Sequence, residues 1–284
     1  MGDVMLDVRA EVGVLAHGGD VHGRVAVQAG GTSANAAVWA AWDGASSRVL
    51  GRVGDDPVGR VMADALSSRG VQAALTVDPA APTGTMLVLH EQGERSMVAD
   101  RGANARLSPG DLPEQLRAGA VLVSGYLLLQ SDAHDAAAAA LERARAPYIA
   151  VDASSWPLVE AFGVDRFFDE TVSANVVLAN EREAWTLTGR EHEAAARALG
   201  ERFEVAAVKL GPRGSLLVVD GAVSSREAET IVEVDPTGAG DAFDGVLLSR
   251  LARGEEPASA LAGASLAGAL VAAGESTWPV GERA

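Results

Sequence analysis

Short apolar runs alternate with segments of helical periodicity along most of the chain. The apolar runs lie at 48–53, 120–124, 148–152, 176–179 and 205–209, and Ala- and Leu-rich helical segments at 56–69, 133–145 and 181–188 follow several of them. Strands that are buried on both faces read as continuous apolar runs, and crossover helices cover those faces. The pattern predicts an α/β fold with a mostly parallel central sheet.

Two stretches, residues 8–28 and 83–100, depart from that alternation. They contain segments in which apolar and polar residues alternate, such as Gly23–Gln28 and Thr85–His90. Such alternation is typical of antiparallel strands with one solvated face. We therefore predict a small antiparallel β-sheet built from both stretches. No repeat or linker divides the chain, so a single domain over residues 1–284 is expected.

The charge balance excludes some classes of partner. The chain has 284 residues, with 39 acidic against 23 basic side chains and a formal net charge of −16. Such a surface repels nucleic acid and anionic membranes, and no apolar run approaches the ~20 residues that span a bilayer. Cysteine is absent, which excludes disulfides and Cys-based zinc sites. The start of the chain does not resemble a signal peptide, and a cytoplasmic protein is expected.

The most informative segment runs Asp-Pro-Thr-Gly-Ala-Gly-Asp-Ala-Phe-Asp-Gly over residues 235–245. From Asp241 onward, apolar residues recur with a spacing near 3.6, at Phe243, Val246, Leu247 and Leu251, which predicts a helix. Residues 229–234 before it are interpreted as a strand. The glycine-rich turn is therefore expected at a helix N-terminus.

A helix N-terminus offers unpaired N–H groups and a positive dipole end, which suit a phosphate oxygen. We expect the backbone N–H groups of Gly238, Ala239 and Gly240 to stabilise a transferring phosphoryl group. Asp241, in the first turn, is placed to accept a proton from an attacking hydroxyl. The simpler interpretation is an N-capping Asp after an ordinary turn.

A second glycine-rich segment supports the catalytic interpretation. Residues 30–37 read Gly-Gly-Thr-Ser-Ala-Asn-Ala-Ala, and residues 51–59 read Gly-Arg-Val-Gly-Asp-Asp-Pro-Val-Gly. Together with residues 235–245 they resemble the two signatures of the ribokinase-like (pfkB) carbohydrate kinase family, in the right order. Further similarities lie at residues 2–7, 102–104, 180–183 and 209–214, so the resemblance covers nearly the whole chain. It implies a ribokinase-like three-layer αβα sandwich with a β lid over the sugar site.

The resemblance also implies which residues bind the sugar. These are Asp7, Gly31 and Asn35, although Asp7 would equally suit a strand end and Asn35 a helix cap. Arg101, just after the lid strands, is a candidate contact for an anionic or polyol substrate, with a solvated surface position as the alternative. Thr32 stands where ribokinase proper commonly has Lys, which weakens the case for ribose.

For ATP and its metal the resemblance implies a third set of residues. Asn180 and Glu183 are expected to organise Mg²⁺, partly through water, since Mg²⁺ prefers oxygen ligands and keeps its hydration. Asp235 and Thr237 match the position at which relatives bind a monovalent cation, which makes K⁺ activation a hypothesis. The nucleotide is expected to run past four further residues: Lys209, Gly211, Gly214 and Ser265. For Ser265 simple helix packing is the alternative.

The sequence thus predicts an ATP-dependent sugar kinase that phosphorylates a primary hydroxyl. A nucleoside kinase of the same fold is the nearest alternative, although the low aromatic content, 4%, offers few rings to stack a base. A non-catalytic sugar or nucleotide sensor is the alternative from another class, and the intact Asp241 argues against it. A homodimer through the lid is expected by resemblance. The family's first central strand is shortened here, or begins upstream of Met1, and lower stability is expected if it is shortened.

Overall fold

The computed structural model describes residues 1–16, 18–92 and 94–281. Within these ranges the strands are β1 Met5–Val12, β2 Arg24–Gly30, β3 Ser47–Gly54, β4 Val71–Asp78, β5 Gly84–Glu91, β6 Glu94–Asp100, β7 Leu116–Arg117, β8 Ala120–Ser124, β9 Ala144–Arg145, β10 Tyr148–Asp152, β11 Val176–Asn180, β12 Val205–Lys209, β13 Ser215–Val219 and β14 Ala222–Arg226. The helices are α1 Thr32–Trp42, α2 Pro57–Ser68, α3 Gly125–Leu128, α4 His134–Arg143, α5 Trp156–Phe162, α6 Val164–Glu170, α7 Glu181–Thr188, α8 His192–Gly200, α9 Ala239–Ala252 and α10 Pro257–Ala272.

The central sheet has the strand order β14-β13-β12-β11-β10-β8. Strands β8, β10, β11 and β12 run parallel, and β13 and β14 join as an antiparallel edge. Alternate residues of β11 enter opposite cores: Val177 and Ala179 pack on the side of α4, α7 and α8, whereas Val176 and Leu178 pack on the side of α9 and α10. Burial on both faces explains why this strand reads as a continuous apolar run.

The parallel pair β3-β4 lies beyond β8, and the first two residues of the chain connect them. The Met1 amino group donates to the Leu122 carbonyl, the Ser124 N–H donates to the Met1 carbonyl, and the Gly2 N–H donates to the Leu50 carbonyl. Residues 2–7 resemble an opening strand of the central sheet, but the regular strand begins only at Met5 and belongs to a different sheet.

That second sheet is the predicted lid, with the order β2-β1-β5-β6. Asp7 on β1 lies opposite Gln28 on β2 and Met86 on β5. The predicted lid segments, 8–28 and 83–100, include residues 17 and 93, which lie outside the described residues, as do residues 282–284 of the predicted domain. The lid is mostly antiparallel, but β1 and β5 are parallel neighbours.

The strand predicted over residues 229–234 is wrong. Residues 227–234 form no regular element, and Val232 is 85% exposed. The β-branched residues there, Thr230, Ile231, Val232 and Val234, are typical of a strand, but no neighbouring strand pairs with this segment among the described residues. Val234 and Asp235 instead donate their N–H groups to the Ala272 carbonyl at the end of α10.

Candidate active site

The glycine-rich turn opens helix α9, as the sequence predicts. Gly238 caps the helix with a left-handed backbone, φ 83°, which favours glycine. The first N–H groups of a helix have no intrahelical acceptor, and those of Gly240 and Asp241 lie in this first turn. The predicted role of Ala239 needs correction, since its N–H donates to the Pro236 carbonyl at 3.1 Å and closes the turn.

Asp241 is held from helix α1. The Asn35 Nδ2 donates to Asp241 Oδ2 at 2.8 Å, and the Trp278 Nε1 donates to Asn35 Oδ1 at 2.9 Å. Asn35 does not cap α1, because Gly31 takes that position and Asn35 lies inside the helix. Both ends of its amide are engaged, so Asn35 orients Asp241 besides lining the site.

The environment of Asp241 suits a general base. Burial raises the pKa of its carboxyl to about 7, the Asn35 hydrogen bond opposes the rise, and the charge of Asp152 adds to it. A pKa near the working pH is the value at which a carboxylate is both available and basic enough to accept a proton.

Lys209 faces a group of acids. Its Nζ lies 2.9 Å from both carboxylate oxygens of Asp244 and 3.4 Å from Asp152 Oδ1. The sequence predicts Lys209 along the path of the nucleotide, whereas its ammonium is already paired beside the glycine-rich turn. A Cβ on Gly240 would lie 3.4 Å from this Nζ.

Sequence reasoning missed Asp152 and Asp244. Asp152 ends strand β10, and side chains at the carboxyl ends of parallel strands commonly line a ligand site. Asp244 lies three residues after Asp241 and therefore on the same helix face. Both positions were visible in the sequence.

Asn180 and Glu183 begin helix α7 as a capping box. The Glu183 carboxylate accepts from the Asn180 N–H at 2.7 Å and Nδ2 at 2.6 Å, and the Glu183 N–H donates to Asn180 Oδ1 at 3.0 Å. Burial and then the charge of Asp152 raise the pKa of Glu183 to about 7. Asn180 and Glu183 therefore cap helix α7. The Glu183 carboxylate is also buried and lies near the negative charge of Asp152.

This oxygen-rich region fits Mg²⁺ bound with its water. Asp152, Glu183, Asp241 and Asp244 share a single ammonium, that of Lys209, among the described side chains that contact them. In the described ranges no three His, Asp or Glu side chains are arranged to hold a metal directly. A hydrated ion carried by a nucleotide needs fewer protein ligands.

The predicted sugar-binding residues lie together at the lid. Asp7 is 6% exposed, and burial raises the pKa of its carboxyl to about 6 against the opposing charge of Arg9. Gly31 has φ 96°, and a Cβ there would lie 2.4 Å from the Asp3 carbonyl oxygen, so only glycine fits.

Arg101 is not a solvated surface residue. Its side chain is 10% exposed, donates to both carboxylate oxygens of Asp3 at 3.0 and 3.2 Å, and pairs with Asp132. The guanidinium lines the site with its charge balanced by two acids.

The remaining residues predicted to bind the nucleotide, Gly211, Gly214 and Ser265, lie at the end of the site away from the lid. Gly211 begins a single 3₁₀ turn after β12, Gly214 follows that turn, and both have positive φ. A Cβ on Gly214 would lie 1.9 Å from the Arg226 carbonyl oxygen. The Ser265 hydroxyl contacts Ser215 Oγ at 2.7 Å and also donates to the Leu261 carbonyl, so it packs within α10 and faces the site as well.

One cavity of about 1080 Å³ connects these groups. Every predicted site residue, all of them described, lines it except Asp235. The Asp235 carboxylate lies beside the cavity and contacts Thr237, Arg9, His90 and Arg95. A carboxylate already paired with the guanidinium groups of Arg9 and Arg95 does not fit the predicted K⁺ site.

Comparisons with known proteins agree with this geometry. The family model described as "pfkB family carbohydrate kinase" matches residues 1–279. A 2-dehydro-3-deoxygluconokinase from Thermoproteus tenax is 31% identical over 254 residues, covering 85% of this chain and 78% of its own. A fructokinase from Klebsiella pneumoniae is 32% identical over 247 residues, covering 82% and 80%.

Solved structures show the same fold. Adenosine kinase from Sinorhizobium meliloti superposes with a TM-score of 0.86 at 23% identity over 99% of this chain and 95% of its own. Fructokinase from Vibrio cholerae, bound to fructose, ADP and calcium, gives 0.79 at 26% identity over 97% and 92%. The sheet order, the lid, the two glycine-rich segments and the extent of these matches lead to one conclusion: the chain belongs to the pfkB family of carbohydrate kinases, with their ribokinase-like fold, and is a phosphotransferase that acts on an alcohol group.

Proposed function

We propose that the protein transfers the γ-phosphate of ATP to a primary hydroxyl of a small carbohydrate, with Asp241 as the general base. The observation that carries this proposal is the position of Asp241. It lies at the start of α9 beside the glycine-rich turn, in the same cavity as Asp7 on one side and Glu183 on the other. If a sugar hydroxyl and a γ-phosphate meet at Asp241, the rest of the sugar lies towards Asp7. The phosphates and their Mg²⁺ then lie towards Glu183.

In this proposal different residues bind the sugar, accept the proton and bind the nucleotide. Asp7, Gly31 and Asn35 line the sugar end, and Asn35 also orients Asp241. Asp241 accepts the hydroxyl proton while N–H groups of the first turn of α9 face the phosphoryl oxygens. Gly211, Gly214 and Ser265 line the nucleotide end. Mg²⁺, when bound, neutralises phosphate charge, and Asn180, Glu183 and Asp152 would hold it.

Asp241→Asn tests the assignment. The amide has the same shape as the carboxylate and keeps an oxygen that can accept from Asn35 Nδ2, but it cannot accept the hydroxyl proton. We therefore expect kcat to fall by about 10²–10⁴-fold. The assay uses ketoses, aldoses, sugar acids, inositol and nucleosides with MgATP, and phosphorylation is measured directly. An Asn variant as fast as the natural protein would exclude Asp241 as the base. No turnover of any compound by the natural protein would favour the non-catalytic sensor.

A homodimer through the lid is the second part of the proposal. Val27, Val8, Leu87 and Val98 align in register across all four lid strands on the face opposite Asp7. Val27 and Val98 are 60% and 64% exposed, and an apolar row of this kind favours burial against a second copy.

Val27→Lys with Val98→Lys should convert the dimer to a monomer in sedimentation equilibrium. A natural protein that is monomeric at tens of micromolar would contradict the proposal.

In the part of the chain that is described, no helix is both long and apolar enough to cross a bilayer. The cytoplasm, where ATP is available, remains the predicted compartment.

A further inference from the structure

Arg9 of lid strand β1 contacts Asp235, at the position where the family resemblance implies a monovalent cation. Its Nη1 is 3.0 Å from Asp235 Oδ2 and donates to the Glu275 carbonyl oxygen at 2.9 Å. A carboxylate and a main-chain carbonyl are the hard oxygen ligands that bind simple cations. Here one guanidinium nitrogen bridges both. The Arg9 side chain is 11% exposed and that of Asp235 is 7% exposed, so the pair is largely removed from water.

The other edge of the guanidinium is also engaged. With the Gln28 amide oriented so that its oxygen faces Arg9, that oxygen accepts from Arg9 Nε at 3.0 Å and from Nη2 at 3.2 Å. Gln28 lies on β2, the neighbour of β1 in the lid. A planar guanidinium fixed along both edges is a preorganised cation.

The Arg9 guanidinium is linked to the glycine-rich turn through Asp235. The other carboxylate oxygen, Oδ1, accepts from the Thr237 N–H at 2.9 Å and from the Thr237 hydroxyl at 2.6 Å. Burial alone would raise the pKa of Asp235, but the hydrogen bonds from Thr237 and the charges of Arg9 and His90 outweigh it and hold the pKa below its usual range. Asp235 therefore remains charged and shapes the turn that leads directly into Gly238.

The same contact ties two separate segments together. Glu275 follows α10, and the Ala272 carbonyl at the end of that helix accepts the N–H groups of Val234 and Asp235. Arg9 adds a charged bridge between the Asp235 and Glu275 segments. His90 Nε2 and Arg95 Nη1 lie 3.6 and 3.7 Å from the Asp235 carboxylate, so a further cation would meet the charge of the Arg95 guanidinium on this side.

We propose that the Arg9 guanidinium is a built-in replacement for a monovalent cation at Asp235, and that it positions the glycine-rich turn. The natural enzyme is then independent of K⁺ and Na⁺. Arg9 is a positioning residue, because it acts through Asp235 rather than on the substrates. The inference rests on the proposed kinase function, since the turn it positions is the one assigned to phosphoryl transfer.

The experiment compares the natural protein, Arg9→Ala and Arg24→Ala in potassium, sodium, guanidinium and tetramethylammonium chlorides at millimolar concentration and constant ionic strength. Arg24 is the matched control: it also joins the lid to Glu275, through an ion pair at 2.6 Å, but it is 66% exposed and does not contact Asp235. Initial rates and thermal unfolding are measured in each salt.

The natural protein and Arg24→Ala should vary less than twofold in rate among the salts. Arg9→Ala should lose at least tenfold in kcat in tetramethylammonium, with a smaller change in KM for the sugar, and should regain several-fold in potassium or guanidinium. Its unfolding temperature should rise with the same two cations relative to tetramethylammonium, whereas that of Arg24→Ala should not. Arg9→Lys should retain more activity than Arg9→Ala in tetramethylammonium.

Several-fold activation of the natural protein by potassium would overturn the proposal. So would an Arg9→Ala protein that is fully active in every salt, or one whose lost rate and lowered unfolding temperature no cation restores. If no protein phosphorylates any substrate, the kinase proposal fails, but the unfolding measurements still decide whether a small cation replaces the Arg9 guanidinium.

Discussion

Two groups of charged side chains flank the glycine-rich turn, and they differ in the ratio of acidic to basic groups. On the lid side, Asp235 contacts Arg9, His90 and Arg95, and its pKa is held below the usual range. On the core side four carboxylates, those of Asp152, Glu183, Asp241 and Asp244, surround Lys209, and the pKa values of Glu183 and Asp241 rise to about 7.

The difference indicates where an external cation is needed. The pKa of Asp235 is lowered because the Thr237 hydrogen bonds and then the charge of Arg9 outweigh its burial. The pKa values of Glu183 and Asp241 are raised first by burial, and the charge of Asp152 adds to that rise. In the proposal above, the Arg9 guanidinium supplies the cation on the lid side. The core side lies along the proposed path of the phosphates, and its four carboxylates have one ammonium, that of Lys209, among the described side chains that contact them. This shortage of positive charge suits the Mg²⁺ that accompanies ATP.

The largest expected effect concerns Lys209. Lys209→Met removes the ammonium that contacts Asp244, a carboxylate that is 2% exposed, and leaves a buried charge without its partner. The free energy of unfolding should fall by about 3–5 kcal/mol in a denaturant titration. Burial raises the pKa of Asp244 well above its usual value despite Lys209, so part of the cost will appear as proton uptake.

Two further variants decide whether the loss comes from the pair. Lys209→Met combined with Asp244→Asn removes both charges and should recover at least half of the lost stability. Arg95→Met is the control on the lid side, because Arg95 is 40% exposed and lies 3.7 Å from Asp235; it should cost less than about 1 kcal/mol. A Lys209→Met protein no less stable than Arg95→Met would contradict the contrast between the two sides.

The second prediction is a pH dependence that belongs to the core side alone. Because the pKa of Asp241 is about 7, kcat/KM for MgATP should fall about tenfold per unit as the pH drops below 7. The same raised pKa stabilises the folded protein below about pH 4, and this contribution is lost as the pH rises through 7.

Asp235 should not contribute to this acid limb, since its lowered pKa keeps it charged throughout. The residual activity of Asp241→Asn should show a shallower acid limb, because Glu183, whose pKa is also raised to about 7, still titrates there. Asp235→Asn should retain the midpoint of the natural protein while losing rate. An acid limb of unchanged steepness in Asp241→Asn, or a midpoint that moves in Asp235→Asn, would show that the assignment of the two sides is wrong.

The fold was predictable wherever sequence pattern and burial coincide. Strands β8, β10 and β12 and helix α7 have the bounds expected from their apolar runs, because helices cover both faces of those strands. Residues 229–234 show the limit, because β-branched residues typical of a strand lie there on a largely exposed segment that forms no strand. A pattern predicts which backbone suits a strand but not whether a neighbouring strand is available to pair with it.

The site was predictable to the extent that it is local in sequence. Residues 235–245 carry both the glycine-rich turn and the proposed base, Asp241, within one motif. The contacts that tune them are distant in sequence: Lys209 contacts Asp152, 57 residues earlier, and Arg9 on β1 contacts Asp235, just before α9. A motif can therefore indicate Asp241 as a base, but the balance of charge around it depends on strands and helices that only the fold brings together.

The smallest expected effect is a shift of the acid limb. The charge of Asp152 contributes to the raised pKa of Asp241, so Asp152→Asn should move the midpoint of the kcat/KM profile to lower pH, by up to about one unit. The matched control is Asp55→Asn, which removes the same charge from a side chain that is 67% exposed and should leave the midpoint in place. Equal shifts in the two variants would mean that the net charge of the protein, −16, sets the pKa. A shift confined to Asp152→Asn would instead locate the cause within the core-side acids, the side where the uncompensated charge lies.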